Sequence, residues 1–353
     1  MRIAVVGLGQ IAKLCLPPYS ARDDVEVVGL CDLDPVRVEH WGEVFPKAVR
    51  TTDMDTLLAL DADVVDVLVP TPAHADVVTR VLDAGFHVQV QKPMARSVPD
   101  ADRMLAAAAS TGATLRVMED YVCFPPLVKL KEIVDSGELG PAQTAHMKII
   151  ATPTGGWEVD PSSYEWQFAQ ARDGHGILTF DHGWHQLAVA HWLFGPIGRV
   201  FGWIRKTKIS EDFVLDTPAT FVWEHENGVR VVLDITLAHE MYYRSDYYSD
   251  DERVEVVGTR GYVRCNHISG RGLEQPAVVM YRDGELQQFH VPDLPPDAFA
   301  ASAAHGIEYF RTREGSLLLD GKTARDILLS LLAALESANQ GVPIDVAEFR
   351  EPR

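Results

Sequence analysis

The sequence predicts an α/β fold: an N-terminal doubly wound parallel sheet, then a C-terminal α/β domain built on a large, mostly antiparallel open sheet. Three observations carry that expectation. Through the first third, short β-branched apolar runs alternate with longer helix-period segments, as β-α-β units on a parallel sheet require. After Tyr121 the strand-like runs lengthen, alternate apolar with polar residues and carry hairpin signals, which suits an antiparallel sheet with one face packed on helices. Finally, 353 residues exceed what one hydrophobic core usually serves.

In chain order, strands are expected at 2–6, 25–31, 64–69, 87–90 and 113–118, with helices near 10–20, 34–45, 74–84 and 98–110. Short loops separate them, as in compact α/β folds. A helix near 126–137 then precedes strands at 143–151, 198–208, 218–225, 229–237, 253–257 and 261–266. Glu226-Asn227-Gly228 and Arg282-Asp283-Gly284 mark hairpins, because Asn-Gly and Asp-Gly accept the positive φ that tight turns need. A helix at 183–194 packs on the sheet in this reading, and one at 322–340 closes the structure. The change of pattern divides the chain into domains 1–120 and 121–353.

Composition excludes several partner classes. With 46% hydrophobic and 24% charged residues the chain reads as a soluble globular protein. A formal net charge of -19 repels nucleic-acid phosphates and anionic membrane surfaces alike, so neither is expected as a partner. Cys15, Cys31, Cys123 and Cys265 are scattered and form no Cys-x-x-Cys pair, which disfavours a disulfide framework or thiolate metal site and points to a reducing cytoplasm. Strand-like sequence from Arg2 leaves no room for a signal peptide, and no apolar run reaches the roughly 18 residues of a membrane span.

Gly7-Leu8-Gly9-Gln10-Ile11-Ala12 directly follows a β-branched strand and opens a helix, the context that makes a glycine pattern diagnostic of a dinucleotide. Gly7 permits the turn, Gly9 lets a pyrophosphate approach the backbone, and Ala12 lets the helix sit close to the sheet. Phosphates would meet the helix N-terminus. This is the arrangement of a Rossmann domain. Asp32, at the end of the second strand, is placed to bind the adenosine ribose hydroxyls, and it should favour NAD over NADP by about 2–3 kcal/mol through repulsion of a 2′-phosphate. Arg37 would soften that preference if it points inward, and Asp34 before Pro35 suits a helix cap.

With these residues the sequence resembles the glucose-fructose oxidoreductase, inositol dehydrogenase and MocA-like (Gfo/Idh/MocA) family nearly end to end. Val69-Pro70-Thr71-Pro72-Ala73-His74 resembles the family's Thr-Pro-Asn-x-x-His loop, with Thr71 in place of the Asn. Gln91-Lys92-Pro93 resembles its Glu-Lys-Pro signature, with Gln91 in place of the Glu. The segment from Gly176 to His185 resembles the family's Gly-rich stretch ending in Asp-x-Gly-x-His, mapping its Asp and His onto Asp181 and His185. Weaker matches are Glu255 to Gly261 and Glu336-Ser337-Ala338. The resemblance implies NAD(P) as cofactor, sugars or cyclic polyols as substrates, and oligomers, homodimers or homotetramers, built through the open sheet face. On this reading Gly7, Gly9, Gln10, Ile11, Asp32, Pro70, Thr71, His74, Gln91 and Lys92 bind the cofactor.

Oxidising a secondary alcohol requires a base for the hydroxyl proton and a cation near the developing alkoxide. Lys92, just past a strand at the ligand-binding edge of the Rossmann sheet, supplies the cation. Asp181 and His185 are four residues apart, so on one helical turn they face the same way, with His185 the base and Asp181 its orienting partner. The resemblance leaves Lys92 and His185 competing for the base role. Glu119, Tyr121, Trp157, Tyr164 and His182 are candidates for substrate contact, as is the tyrosine-rich run 242–248, which equally suits an oligomer contact. His175, His182, His185 and His191 lack a His-Glu-x-x-His pattern and no metal is expected, although Glu119 and Asp120 with Asp181 and His185 form a minor alternative metal set.

The function expected is NAD-dependent hydride transfer at a secondary hydroxyl of a sugar, cyclic polyol or derivative. Two alternatives stand beside it: tightly held NAD used for transient oxidation in elimination, epimerisation or glycoside cleavage, and a non-catalytic ligand sensor.

Overall fold

The computed structural model describes residues 1–351 apart from 160, 161, 209–213, 271 and 273, with the side chains of 162–164 also outside the description. The chain forms two compact units, the first comprising Met1–Glu119 with later returns of the chain, chiefly Phe299–Leu328.

Among the described residues the first unit holds a six-stranded parallel sheet of β1 (Arg2–Val6), β2 (Glu26–Cys31), β3 (Val49–Thr51), β4 (Val64–Val67), β5 (His87–Gln91) and β6 (Leu115–Met118). Their order is β3-β2-β1-β4-β5-β6, so the winding reverses between β1 and β4, where such sheets bind ligands. β3 and the helix Met54–Leu58 escape sequence reading because neither has an apolar run long enough to show a period. The helix expected near 10–20 is two pieces, Ala12–Cys15 and Pro17–Ser20, since Pro17 and Pro18 have no N–H to continue the ladder. Asp34 caps the helix Pro35–Val44 by accepting from Val36 N at 2.9 Å.

A continuous second domain over 121–353 is corrected at residues 299–328, which belong to the first unit. Leu319 O accepts from Val117 N at 2.9 Å, covering the edge strand β6. The buried Arg116 guanidinium donates to Gln89 Oε1 (2.6 Å), Ser302 O (3.0 Å) and Ser302 Oγ (2.9 Å). Gln89 Nε2 donates in turn to Asp66 Oδ1 at 2.9 Å, and Tyr19 Oη to Asp66 Oδ2 at 2.6 Å. Asp66, Gln89 and Arg116 sit side by side in the register of β4, β5 and β6, so one buried polar row ties three strands to the helix Pro295–Thr312.

The second unit is built on β7 (Ala142–Ala151), β8 (Ile197–Ile204), β9 (Thr207–Lys208), β10 (Val214–Leu215), β11 (Ala219–His225), β12 (Arg230–Leu237), β13 (Asp250–Gly258), β14 (Gly261–Cys265), β15 (Val278–Arg282), β16 (Glu285–Phe289) and β17 (Ile344–Asp345). β9 and β10 pair with each other. The other nine form one sheet in the order β16-β15-β14-β13-β7-β12-β11-β8-β17, antiparallel except for the β7–β12 pair. Alternation sends Val256, Ala145, Val231 and Trp223 to one buried face, with Val254, Met147, Leu233 and Phe221 in the next row. The other face shows Trp203 and Tyr281 to solvent. Both expected hairpin turns join adjacent strands, β11 to β12 and β15 to β16.

β13 begins at Asp250, three residues before the strand read from sequence, because an acidic triplet does not look like a strand. The helix Gly183–Phe194 lies against the buried face, its first residue near Ile235 of β12. Helices Pro125–Asp135 and Gly321–Gln340 fall where the periodicity placed them, and Ser162–Arg172 and Pro295–Thr312 were not anticipated. Among the described residues no helix is long and apolar enough to cross a membrane.

Candidate functional site

In the first unit the site is built at the switch point between β1 and β4. Gly7 has φ +91° and donates from its N to Cys31 O at 2.8 Å, and a Cβ there would lie 2.6 Å from Leu68 C, so only glycine fits. Above Gly9 the nearest atom to an added Cβ is Arg37 Nη1 at 3.7 Å, which leaves the backbone open to close approach by a phosphate. That space and the Gly7 turn fit a dinucleotide. The helical segment after the turn has only four residues, so its macrodipole adds little and backbone donors carry the anion binding. Gln10 and Ile11 lie on this turn, half-buried.

The Asp32 carboxylate is held over the turn: Oδ2 accepts from Leu8 N at 2.6 Å and Oδ1 from Asp34 N at 2.9 Å. Asp34 takes the capping role, as its sequence position implied. Arg37 points back toward Gly9 and pairs with Asp34 at 3.6 Å.

Pro70 is exposed and Thr71 buried at the start of a short 3-10 turn after β4. His74 is wholly buried, with Nε2 2.9 Å from Val69 O and Nδ1 2.9 Å from Pro93 O. It clamps the loop after β4 to the loop after β5. Gln91 is also turned inward, its Nε2 donating to Cys15 Sγ at 3.3 Å and its Oε1 accepting from Lys92 N at 3.3 Å. An uncharged amide suits that buried place beside a thiol better than a carboxylate does. Lys92 is half-buried and precedes a cis peptide to Pro93.

In the second unit, Ile177–His182 winds as a π-helix that passes into the helix at Gly183. Asp216 anchors its start, accepting from Thr179 N at 2.5 Å and Leu178 N at 3.3 Å. Asp181 lies in the π winding, a feature frequent at functional sites, and His185 in the first turn of the α-helix that follows it. Both are buried. The His185 ring stacks on Tyr121 (centroids 4.0 Å, 14°) and meets His182 edge-on (5.6 Å, 72°).

Behind these rings lies a buried network that sequence reading missed. Tyr121 Oη donates to Glu252 Oε2 at 2.7 Å and lies 3.0 Å from Ser269 Oγ, which donates to Asp250 Oδ1 at 2.9 Å. His182 Nε2 donates to Glu252 Oε1. Burial pushes Glu252 up, but the charge and hydrogen bond of His182, the Tyr121 hydroxyl and the charge of His185 outweigh it and hold the carboxyl below its usual range. Burial and then the Glu252 charge push Asp250 up to about 7. Burial, followed by Glu252, raises the Tyr121 phenol well above its ordinary value. The ligand atoms of His182, Asp250 and Glu252 lie within 4.8 Å of one another. Since His182, Tyr121 and Ser269 occupy the carboxylate oxygens, we read the cluster as a hydrogen-bonded network and assign it no metal. One signal for it was available: Asp250 and Glu252 share the parity of Val254 and Val256, so period-2 alternation alone points both acids inward.

Glu119 is buried just past β6. Trp157 packs edge-on against Tyr248 (5.4 Å) and Tyr247 (5.9 Å), and its buried Nε1 has no hydrogen-bond partner among the described residues. Tyr164 falls on the helix Ser162–Arg172, with its side chain outside the described residues.

A doubly wound sheet with a glycine turn at its switch point defines a dinucleotide-binding protein, and the first 119 residues match the profile described as "Oxidoreductase family, NAD-binding Rossmann fold". Residues 127–264 match the "GFO/IDH/MocA C-terminal domain", and the chain belongs to the Gfo/Idh/MocA oxidoreductase family. It is 27% identical over 309 residues to a D-apiose dehydrogenase of Paraburkholderia graminis, covering 86% of this chain and 76% of that one. Inositol 2-dehydrogenase 3 of Saccharopolyspora erythraea is 25% identical over 352 residues, 98% of this chain and 95% of its own. An oxidoreductase from Agrobacterium radiobacter, solved in complex with NAD+, L-tartaric acid and magnesium, shares the fold with a TM-score of 0.82 at 20% identity over 98% of each chain.

Proposed function

We propose that this protein is an NAD-dependent dehydrogenase acting on a secondary hydroxyl of a sugar, cyclic polyol or sugar derivative. The observation that carries the reading is His185, a buried imidazole held flat against Tyr121 beside a negatively charged network, which suits a base that must become cationic. Bound NAD would supply the hydride acceptor. Asp32 binds the ribose hydroxyls, His185 takes the substrate hydroxyl proton, Asp181 orients the same hydroxyl, and Lys92 stabilises the negative charge that develops on the oxygen. The unsatisfied indole N–H of Trp157 is suited to donate to a further substrate hydroxyl. The relatives named as acting on inositol and apiose support the substrate class.

Incubating the protein with NAD or NADP and a panel of inositols, pentoses and pyranosides tests this reading through the absorbance of reduced cofactor. Turnover is expected with NAD in preference to NADP, the Arg37 guanidinium keeping the NADP rate measurable. His185→Ala and Lys92→Ala should each lower kcat/KM by about 10²–10⁴-fold. No turnover across the panel, or full activity in both variants, would sink the assignment.

We also propose that the sheet face carrying Trp203 and Tyr281 receives a second copy of the chain, which would cover two exposed aromatic rings. Sedimentation velocity should then show a dimer or larger, and Trp203→Glu a smaller species. A wild-type monomer would refute it.

A further inference from the structure

Beyond the residues that meet the substrate in the reading above, we propose that Glu252 is a positioning residue for His185, acting through Tyr121 and His182. The inference rests on that reading only for its effect on turnover. Its geometry lies wholly within the second unit.

Glu252 is fully buried on the inward face of β13, opposite Ile149 of β7, where an apolar residue would continue the pattern of Val254 and Val256. A carboxylate in such a place costs several kcal/mol unless its oxygens are occupied. Here each oxygen is assigned. Oε2 accepts from Tyr121 and Oε1 from His182, and both of these rings contact His185, one by its face and one by its edge. A single buried carboxylate therefore sets the orientation of two rings that touch His185. It also places a negative charge behind them that favours the imidazolium formed when His185 accepts a proton.

Among the described residues of the second unit, charged and titratable groups of four elements face this assembly. Asp250 lies on the strand of Glu252, and burial and then the Glu252 charge push its carboxyl up to about 7. Cys265 on β14 is a neutral thiol pushed up to about 12 by burial. Asp181 lies on the π segment that carries His182. Asp120, preceding Tyr121, has a carboxylate oxygen within 4.8 Å of a His185 ring nitrogen. A carboxylate oxygen of Asp250 lies within 4.8 Å of one of Glu252, so ionisation of one is felt by the other.

The test is a histidine NMR titration of the full-length protein without substrate, comparing wild type with Glu252→Gln and Tyr121→Phe. In Glu252→Gln the His185 midpoint should move to lower pH by roughly one pH unit, and in Tyr121→Phe by less. Turnover should follow: kcat down about tenfold with KM within about twofold, the acidic limb of the kcat/KM profile shifted in the same direction, and partial recovery in Glu252→Asp. An unmoved His185 midpoint in a folded variant overturns the proposal. If Glu252→Gln does not fold, Tyr121→Phe decides by the same criterion. Should the protein prove not to be a dehydrogenase, turnover would be absent while the titration shift persisted, so the two failures are distinguishable.

Discussion

Each unit buries a polar network on its sheet, and the two are balanced in opposite ways. In the first unit Tyr19, Asp66, Gln89, Arg116 and Ser302 form a row in which a fixed guanidinium faces a carboxylate. Burial still pushes Asp66 up to about 6, against the Tyr19 and Gln89 hydrogen bonds and the Arg116 charge that pull it down. In the second unit Asp250 and Glu252 share a site whose cationic partner is the titratable imidazole of His182. The Arg116 guanidinium keeps its charge at any pH a cell meets, so the first network never loses its cation and serves as a fastener. A network balanced by histidine changes charge near neutrality, which is useful where protons move.

The comparison breaks most readily at Arg116. Arg116→Leu removes the guanidinium while Asp66 and Gln89 stay buried, and should cost about 3–5 kcal/mol of stability. Urea denaturation monitored at equilibrium would measure it, and a loss under about 1 kcal/mol would show that the row is not a fastener. The smaller effect, of opposite sign, is expected at Asp250. Its carboxyl keeps a proton up to about 7 in the folded chain, whereas in the unfolded chain it releases it near pH 4, so stability falls as pH rises from about 4 to 7. Asp250→Asn keeps an acceptor for Ser269 and removes the ionisation. It should flatten that slope and raise stability at pH 8 by on the order of 2–4 kcal/mol in thermal or urea melts. A variant as pH-dependent as wild type would show that the second network carries no strained proton.

What sequence reading could see divides along the same line. The glycine turn and Asp32 were legible because local backbone geometry dictates them: Gly7 needs φ +91° and a missing Cβ, and Asp32 reaches Leu8 just across β1 and β2. His74 was found by resemblance, but its place between two carbonyls shows only in three dimensions. Asp181 and His185 were read as lying on one α-helical turn, and the π winding of the segment that carries Asp181 leaves no mark in residue spacing. Glu252 was passed over for a different reason, although its parity with Val254 and Val256 points it inward. Its meaning comes from Tyr121, 131 residues earlier, and from a strand whose first three residues are acids.

The stretch that returns to the first unit has a consequence for how the protein is made. Arg116 finds Ser302 only after a further 186 residues have been synthesised. At about 5–20 residues per second, a ribosome leaves the edge of the dinucleotide-binding sheet unsealed for on the order of 10–40 s. During that interval β6 offers open main-chain groups where Leu319 will later bind, and Arg116 stays hydrated without its Ser302 acceptors. A chain cut short after residue 120 keeps that edge open, so it should aggregate at concentrations where the full chain stays dispersed, which light scattering of the two would check.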